Sequence, residues 1–196
     1  MFIVCYNVDH LEGIMKTEIE ARLLEVDVDG FRRKLENAGA SFVGDWVQSR
    51  YCYDFNPVEE NRWIRLRTNG KSTTLTIKDI SDKSITGTKE VEIEVSSFEN
   101  TDEILNQLGY KARSKQENRR IQYKLNGVEI DIDMWPLIPP YVEFEGESEE
   151  AIYEVCDILG IDVDKLTSLD VTSIYTKYGY DIMSKADLVL EESKKR

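Results

Sequence analysis

Almost every extended stretch of this chain alternates residue by residue, with Ile, Val or Leu on one side and a charged side chain on the other. Alternation at period two belongs to β-strands, whose successive side chains leave opposite faces of a sheet. It is read at Thr17–Val26, where Glu18, Glu20 and Arg22 alternate with Ile19, Ala21 and Leu23. It returns at Arg62–Thr68, Thr73–Ile80, Lys89–Ser96, Lys111–Leu125, Val128–Trp135 and Tyr141–Glu147, while Phe42–Phe55 reads as a long, aromatic strand. Asn69-Gly70 and Asn126-Gly127 supply tight-turn signals between neighbouring strands. Helical spacing is confined to Val28–Ala38, Asn100–Leu108 and Ser148–Leu159, with a partly helical tail from Lys165 to Arg196. The expected class is α+β, about eight strands in an all-β barrel or sandwich with peripheral helices, the closed form being an eight-stranded antiparallel β-barrel.

A charged sheet face is ordinarily a wet one, and that plain account has to be weighed first. Two details oppose it. A solvent face mixes signs within a strand, whereas here they are segregated. Acids occupy Glu18/Glu20, Glu90/Glu92/Glu94, Glu129/Asp131/Asp133 and Glu143/Glu145, while bases occupy Arg65/Arg67, with Arg22, Lys78, Arg120 and Lys124 in the same pattern. Like charges two apart on one face repel, and folding does not reward repeating them; a bound cation does. Carboxylates clustered without His or Cys suit a hard, oxygen-preferring ion such as Mg²⁺ or Mn²⁺. Second, the opposite faces are apolar enough to be buried under helices, which would turn the charged side into a lumen. An eight-stranded barrel has room for one small ligand. Acids that hold a cation beside bases that hold phosphate oxygens suit a polyanion chelated to a metal, and Arg favours bidentate phosphate contacts.

The rest of the chain narrows the class. A formal net charge of -13 over 196 residues repels nucleic acid and anionic membranes. Positive charge that meets an anionic ligand must therefore be concentrated locally. Cys5, Cys52 and Cys156 are widely spaced with no CxxC pair, which argues against zinc and a disulfide framework and for a reducing, cytoplasmic setting. His10 is the single histidine, so a Ser/His/Asp or Cys/His machine is discounted. Met1–Val8 is apolar but short and lacks a basic flank, and no segment reaches the length of a membrane span. The expected organisation is one domain over 15–182, an extension at 1–14 and a tail at 183–196 that ends in the basic cluster Lys194, Lys195, Arg196. Tyr51, Tyr53 and Trp63 could stack on a base, but aromatic strand residues more often pack in a core or at a rim. Cys52 and Cys156 are expected to be buried thiols.

Glu18-Ile19-Glu20-Ala21-Arg22 resembles the N-terminal ExExK signature of the CYTH, or triphosphate tunnel metalloenzyme, superfamily. Further landmarks follow in order: Arg65-Leu66-Arg67, Leu75-Thr76-Ile77-Lys78, Glu90-Val91-Glu92-Ile93-Glu94, Arg119-Arg120, Asp131-Ile132-Asp133 and Val142-Glu143-Phe144-Glu145. The run Trp135–Glu143 is similar to the bacterial branch labelled CyaB-like, or class IV adenylyl cyclase. One such motif is weak; seven in order are specific. Two positions depart from the pattern: Arg22 replaces the usual Lys, and Asn118 stands where a Lys often precedes the Arg pair, which would weaken one phosphate contact.

The resemblance implies that Glu18, Glu20, Glu143 and Glu145 ligate the metal, and that Arg22, Arg65, Arg67, Lys78, Arg120 and Lys124 bind the triphosphate. Glu92 and Asp133 would hold a second cation or orient the nucleophile. It also implies a cytoplasmic enzyme, monomer or homodimer, acting on a small-molecule triphosphate. Hydrolysis of an inorganic, nucleoside or thiamine triphosphate is favoured, since no adenine pocket is evident. A class IV adenylyl cyclase, which converts ATP to cyclic AMP and pyrophosphate, and a non-catalytic polyphosphate- or nucleotide-binding module stand as alternatives.

Overall fold

A computed structural model describes residues 15–59, 61–80, 84–182 and 187–191. The expectations for 1–14, including Cys5 and His10, and for the basic cluster at 194–196 lie outside those residues. Ten strands and four α-helices follow one another in the order β1 (Lys16–Glu18), β2 (Glu20–Leu23), α1 (Val28–Asn37), β3 (Ser41–Asp54), β4 (Arg62–Thr68), β5 (Thr73–Ile80), β6 (Thr88–Val95), α2 (Phe98–Gln107), β7 (Ala112–Leu125), β8 (Val128–Met134), β9 (Tyr141–Glu145), α3 (Glu149–Ile158), α4 (Val171–Lys177) and β10 (Asp187–Leu188).

The strands form one sheet in the order β1-β6-β5-β4-β3-β7-β8-β9-β2, antiparallel throughout, with β10 added parallel to β7. The segment read from sequence as a single strand is split at Ile19. Its first part pairs with β6 and its second with β9, which are the two ends of the order. One short run of chain therefore ties both edges and draws the sheet into a barrel. Counted as one stave, it makes eight, as the alternation predicted. Backbone bonds from Glu20 N to the Ile85 carbonyl and from Gly146 N to the Ile19 carbonyl span the step.

The helices start where short polar side chains can cap them. Asp27, Ser97 and Ser148 each accept a hydrogen bond from the backbone N–H three residues on, at the head of α1, α2 and α3. The Ser97 cap places the start of α2 two residues before the expected Asn100. Asn126 and Gly127 both adopt positive φ, the conformation that a two-residue hairpin between twisted strands requires.

The apolar faces of most strands point outward onto helices, though Val47 on β3 and Ile93 on β6 stay exposed. Ala21, Ile121, Tyr123, Ile130, Ile132, Val142 and Phe144 pack with Phe31 and Leu35 of α1 and with Ile152, Val155 and Cys156 of α3. Each such fully buried large side chain is worth about 1.5–3 kcal/mol. On the other side, Tyr53, Ile64 and Leu66 pack with Leu105 of α2. Tyr51 and Tyr53 thus belong to the outer wall rather than the lumen, and the Tyr53 hydroxyl donates to Asp102 at 2.8 Å. A third cluster joins Trp135, Ile138 and Tyr141 with Ile174 and Tyr175 of α4, a part of the tail whose elements were not resolved from sequence. With the greasy faces committed outward, the charged faces have only the interior left.

Candidate active site

The lumen is a cavity of about 370 Å³. Its lining contains Glu18, Glu20, Arg22, Arg65, Arg67, Lys78, Glu92, Arg120, Asp133, Glu143 and Glu145. These are eleven of the twelve site residues expected from sequence. Lys124 stands apart: it follows Arg120 and Gln122 on the same face of β7, but its side chain is 52% exposed and its Nζ is held by Glu129 at 2.6 Å. It does not line the cavity.

Strand register divides the lumen into an acidic and a basic side. Glu20, Glu145 and Glu129 lie directly opposite one another across β2, β9 and β8. Facing carboxylates repel. Among the described residues no cation pairs with Glu145. Burial, followed by the charges of Glu18, Glu143, Glu129 and Glu20, pushes its carboxyl up to about 7. In the next row, Arg22 faces Glu143, which in turn faces Asp131. The Arg22 guanidinium donates from Nε to Glu143 at 2.8 Å, from Nη2 to Glu20 at 2.8 Å, and from Nη1 to the Leu169 carbonyl at 3.1 Å. Burial opposes that charge, but Glu143 and Glu20 outweigh it and hold the guanidinium well above its ordinary value. Burial likewise opposes the Glu143 carboxylate, while Arg22, Arg120 and Lys78 hold it well below the usual range. Glu18 accepts from Lys78 Nζ at 2.6 Å, yet burial keeps its carboxyl above the ordinary value.

The basic side is built from β3, β4 and β7. Arg120 donates from Nε and Nη2 to the two oxygens of Asp133, at 2.8 and 2.6 Å, and from Nη1 to Asp131. The pairs of Arg65 and Arg67 are looser. Arg65 Nη2 lies 3.3 Å from Glu92 and 3.6 Å from Glu90, and Arg67 Nη2 lies 3.7 Å from Glu92. Repulsion from Arg65, then burial, then Arg120 and Arg50, brings Arg67 down to about 9. Burial raises the Glu92 carboxyl, but the Thr76 hydroxyl at 2.6 Å and the charges of Arg67 and Arg65 prevail and keep it ionised.

The expected metal ligands are thus gathered at one side of the cavity. All are carboxylates, the donor type a hard divalent ion takes. Glu145 in particular has no cationic partner among the described residues to balance its ionised form. Among the described residues, however, no three acidic, His or Cys groups already converge as a cage, and Arg22 and Lys78 engage Glu20, Glu143 and Glu18. The donor set fits a cation by chemistry and by charge deficit.

Sequence reasoning passed over Arg50, which lines the same cavity from β3. Its neighbours on that face are Gln48 and Cys52, so β3 lacks the charged alternation that marked the other strands. Asp131 was part of the acidic pattern without a role. It is buried with Oδ1 unpartnered, and burial, only partly offset by Arg120, pushes its carboxyl up to about 7.

A barrel with helices outside and an ion-lined lumen between segregated acids and bases is the class of structure seen here. The chain belongs to the CYTH family: the CYTH domain profile matches residues 16–168. No protein of curated function matches in sequence. Among solved structures, a conserved hypothetical protein from Pyrococcus furiosus is 26% identical, with a TM-score of 0.68 over 81% of this chain and 99% of that one. A proposed adenylate cyclase from Vibrio parahaemolyticus is 12% identical, TM-score 0.67, covering 82% of this chain and 98% of its own. A proposed adenylyl cyclase from Hippeastrum with a dominant triphosphatase activity is 14% identical, TM-score 0.54, covering 87% and 100%. Among the described residues no helix is long and apolar enough to cross a membrane.

Proposed function

We propose that the chain is a cytoplasmic, metal-dependent triphosphatase, monomeric or homodimeric, that hydrolyses a small-molecule triphosphate inside the barrel. The observation that carries this reading is the crowding of Arg50, Arg65, Arg67 and Arg120 in one enclosed lumen. Repulsion from Arg65, then burial, lowers Arg67, and burial, then repulsion from Arg65 and Arg120, lowers Arg50. Buried like charges destabilise a fold unless a counter-charge joins them, and a polyphosphate supplies several.

Arg65 and Arg67, more loosely paired with carboxylates than Arg120, bind phosphate oxygens first. Arg120 and Lys78 add further donors at the border with the acidic side. Arg22, engaged by Glu20, Glu143 and the Leu169 carbonyl, orients those carboxylates and contributes positive charge. Glu18, Glu20, Glu143 and Glu145 would hold Mg²⁺ or Mn²⁺, which when bound neutralises phosphate charge and acts as a Lewis acid. Glu92, kept ionised, and Asp133, fixed by Arg120, orient the attacking water. Clustered arginines stabilise the charge that develops on the transferring phosphoryl group.

The chemistry of the Hippeastrum neighbour agrees with this reading. Purified protein incubated with tripolyphosphate, ATP and thiamine triphosphate, each with Mg²⁺ or Mn²⁺, is expected to release orthophosphate. Cyclic AMP and pyrophosphate as the main products from ATP would replace hydrolysis with cyclisation. Ligand-induced thermal stabilisation without any product would mark a binding module.

A further inference from the structure

Arg50 is the anomaly of the lumen. Its side chain is 7% exposed, and among the described residues no carboxylate lies within ion-pair distance of it. Nη2 donates to Gln48 Oε1 at 3.0 Å and to Asn118 Oδ1, both neutral acceptors. Nε is buried with no acceptor at all. One face of the guanidinium lies 4.5 Å from the centre of the Trp135 ring. Burial, then Arg65 and Arg120, brings the group down to about 10, the sign of a cation its surroundings do not neutralise.

We propose that Arg50 is a further oxyanion-binding residue, which contacts a phosphoryl oxygen of the triphosphate while Gln48, Asn118 and Trp135 hold it in position. The proposal rests on the triphosphate reading above. Asn118 explains how the arrangement is possible. Its Oδ1 accepts from Arg50 and its Nδ2 donates to Asp133 at 2.8 Å, so the amide stands between a guanidinium and a carboxylate. It fixes both without letting them cancel. A lysine at 118 would pair with Asp133 and repel Arg50; an aspartate would neutralise Arg50. Residue 118 on β7 lies opposite Gln48 on β3, two residues from Arg50. The positive charge that β7 lacks at this level is therefore returned by the adjacent strand. A residue present only to fill space would not need an unpaired charge, and a stabilising arginine would have been given a carboxylate.

The test is calorimetric titration with diimidotriphosphate, the P–NH–P analogue of tripolyphosphate, in Mg²⁺, beside thermal unfolding of the free protein. Arg50→Gln is expected to weaken binding about 10- to 100-fold, the worth of a charge-assisted hydrogen bond. It should also raise the unfolding temperature of the free protein, because a repelled buried cation is gone. Arg50→Lys should restore much of the affinity, and Asn118→Asp should weaken it by giving Arg50 a carboxylate. If Arg50→Gln binds as the wild type does while Arg65→Gln is impaired, the role of Arg50 is refuted and the triphosphate reading stands. Weaker binding together with a lowered unfolding temperature in Arg50→Gln would make the residue structural and refute the proposal too. Should Arg50→Gln not fold, unchanged affinity in Asn118→Asp refutes it. A wild-type protein that binds no analogue overturns the function itself.

Discussion

Replacing Glu145 by Gln should make the metal-free protein more stable, and only above a certain pH. Glu145 faces Glu20 and Glu129 across the sheet, and among the described residues has no cationic partner. Burial and its acidic neighbours push its carboxyl from the ordinary 4.5 to about 7. A group with a raised native value costs nothing while protonated in both states, below about 4.5. The cost develops as pH rises and is complete above about 7. At about 1.4 kcal/mol per pH unit this difference amounts to about 3 kcal/mol at pH 8 and under about 1 kcal/mol at pH 5, both upper bounds because the side chain is partly solvated. For a chain of this size each kcal/mol moves the midpoint by roughly 2–4 °C, so Glu145→Gln should unfold roughly 6–12 °C higher at pH 8 in EDTA. Differential scanning calorimetry at pH 5 and pH 8 reads both values. Saturating Mn²⁺ should then narrow the gap, by stabilising the wild type more than the variant. A variant that is equal or less stable at pH 8, or one whose gain is the same at both pH values, would refute the account of the acidic row.

Three further outcomes follow from other parts of the barrel. Arg67→Ala should lower kcat/KM for tripolyphosphate by about 10- to 100-fold, while Lys124→Ala, a rim residue paired with Glu129, should stay within about threefold; comparable losses would place Lys124 at the substrate. Gly44 approaches Trp46 so closely that an added Cβ would come within 1.6 Å of the ring. Gly44→Ala should therefore cost about 1–3 kcal/mol in urea unfolding and shift tryptophan emission, and an unchanged spectrum would count against that contact. Burial pushes the Cys156 thiol up to about 11, so Cys156 in the native protein should resist thiol reagents at pH 8 and react on unfolding; rapid native labelling at that position would contradict its place in the core.

Alternation made most of the barrel legible, because a sheet with one apolar and one charged face has few ways to bury the first. The segregation of charge sign by strand pointed to the lumen, and eleven of the twelve expected site residues do line it. Three features were hidden for identifiable reasons. Ile19 fits the alternation of its neighbours, so nothing local signals that hydrogen bonding changes partner there from one sheet edge to the other. Arg50 sits on a strand face of neutral polar residues, and its importance depends on what is missing around it, which only three dimensions reveal. Lys124 has the right parity, but parity gives the face and not the depth, and the last residues of a long strand emerge from the barrel. The seven-residue tail helix α4 was less legible than the others, since it owes its position to Trp135 and Tyr141, far away in sequence.

The split stave has a consequence for how the protein lives and fails. Residues 16–23 fasten two margins that would otherwise be left as raw hydrogen-bonding borders, and the same eight residues carry Glu18, Glu20 and Arg22. Shedding this one strap would at once unlatch the cylinder, bare two adhesive rims and remove Glu18 and Glu20, two of the four proposed cation ligands. The proposed site and protection from self-association thus share one keystone, so a molecule with that site complete is also one whose borders are sealed.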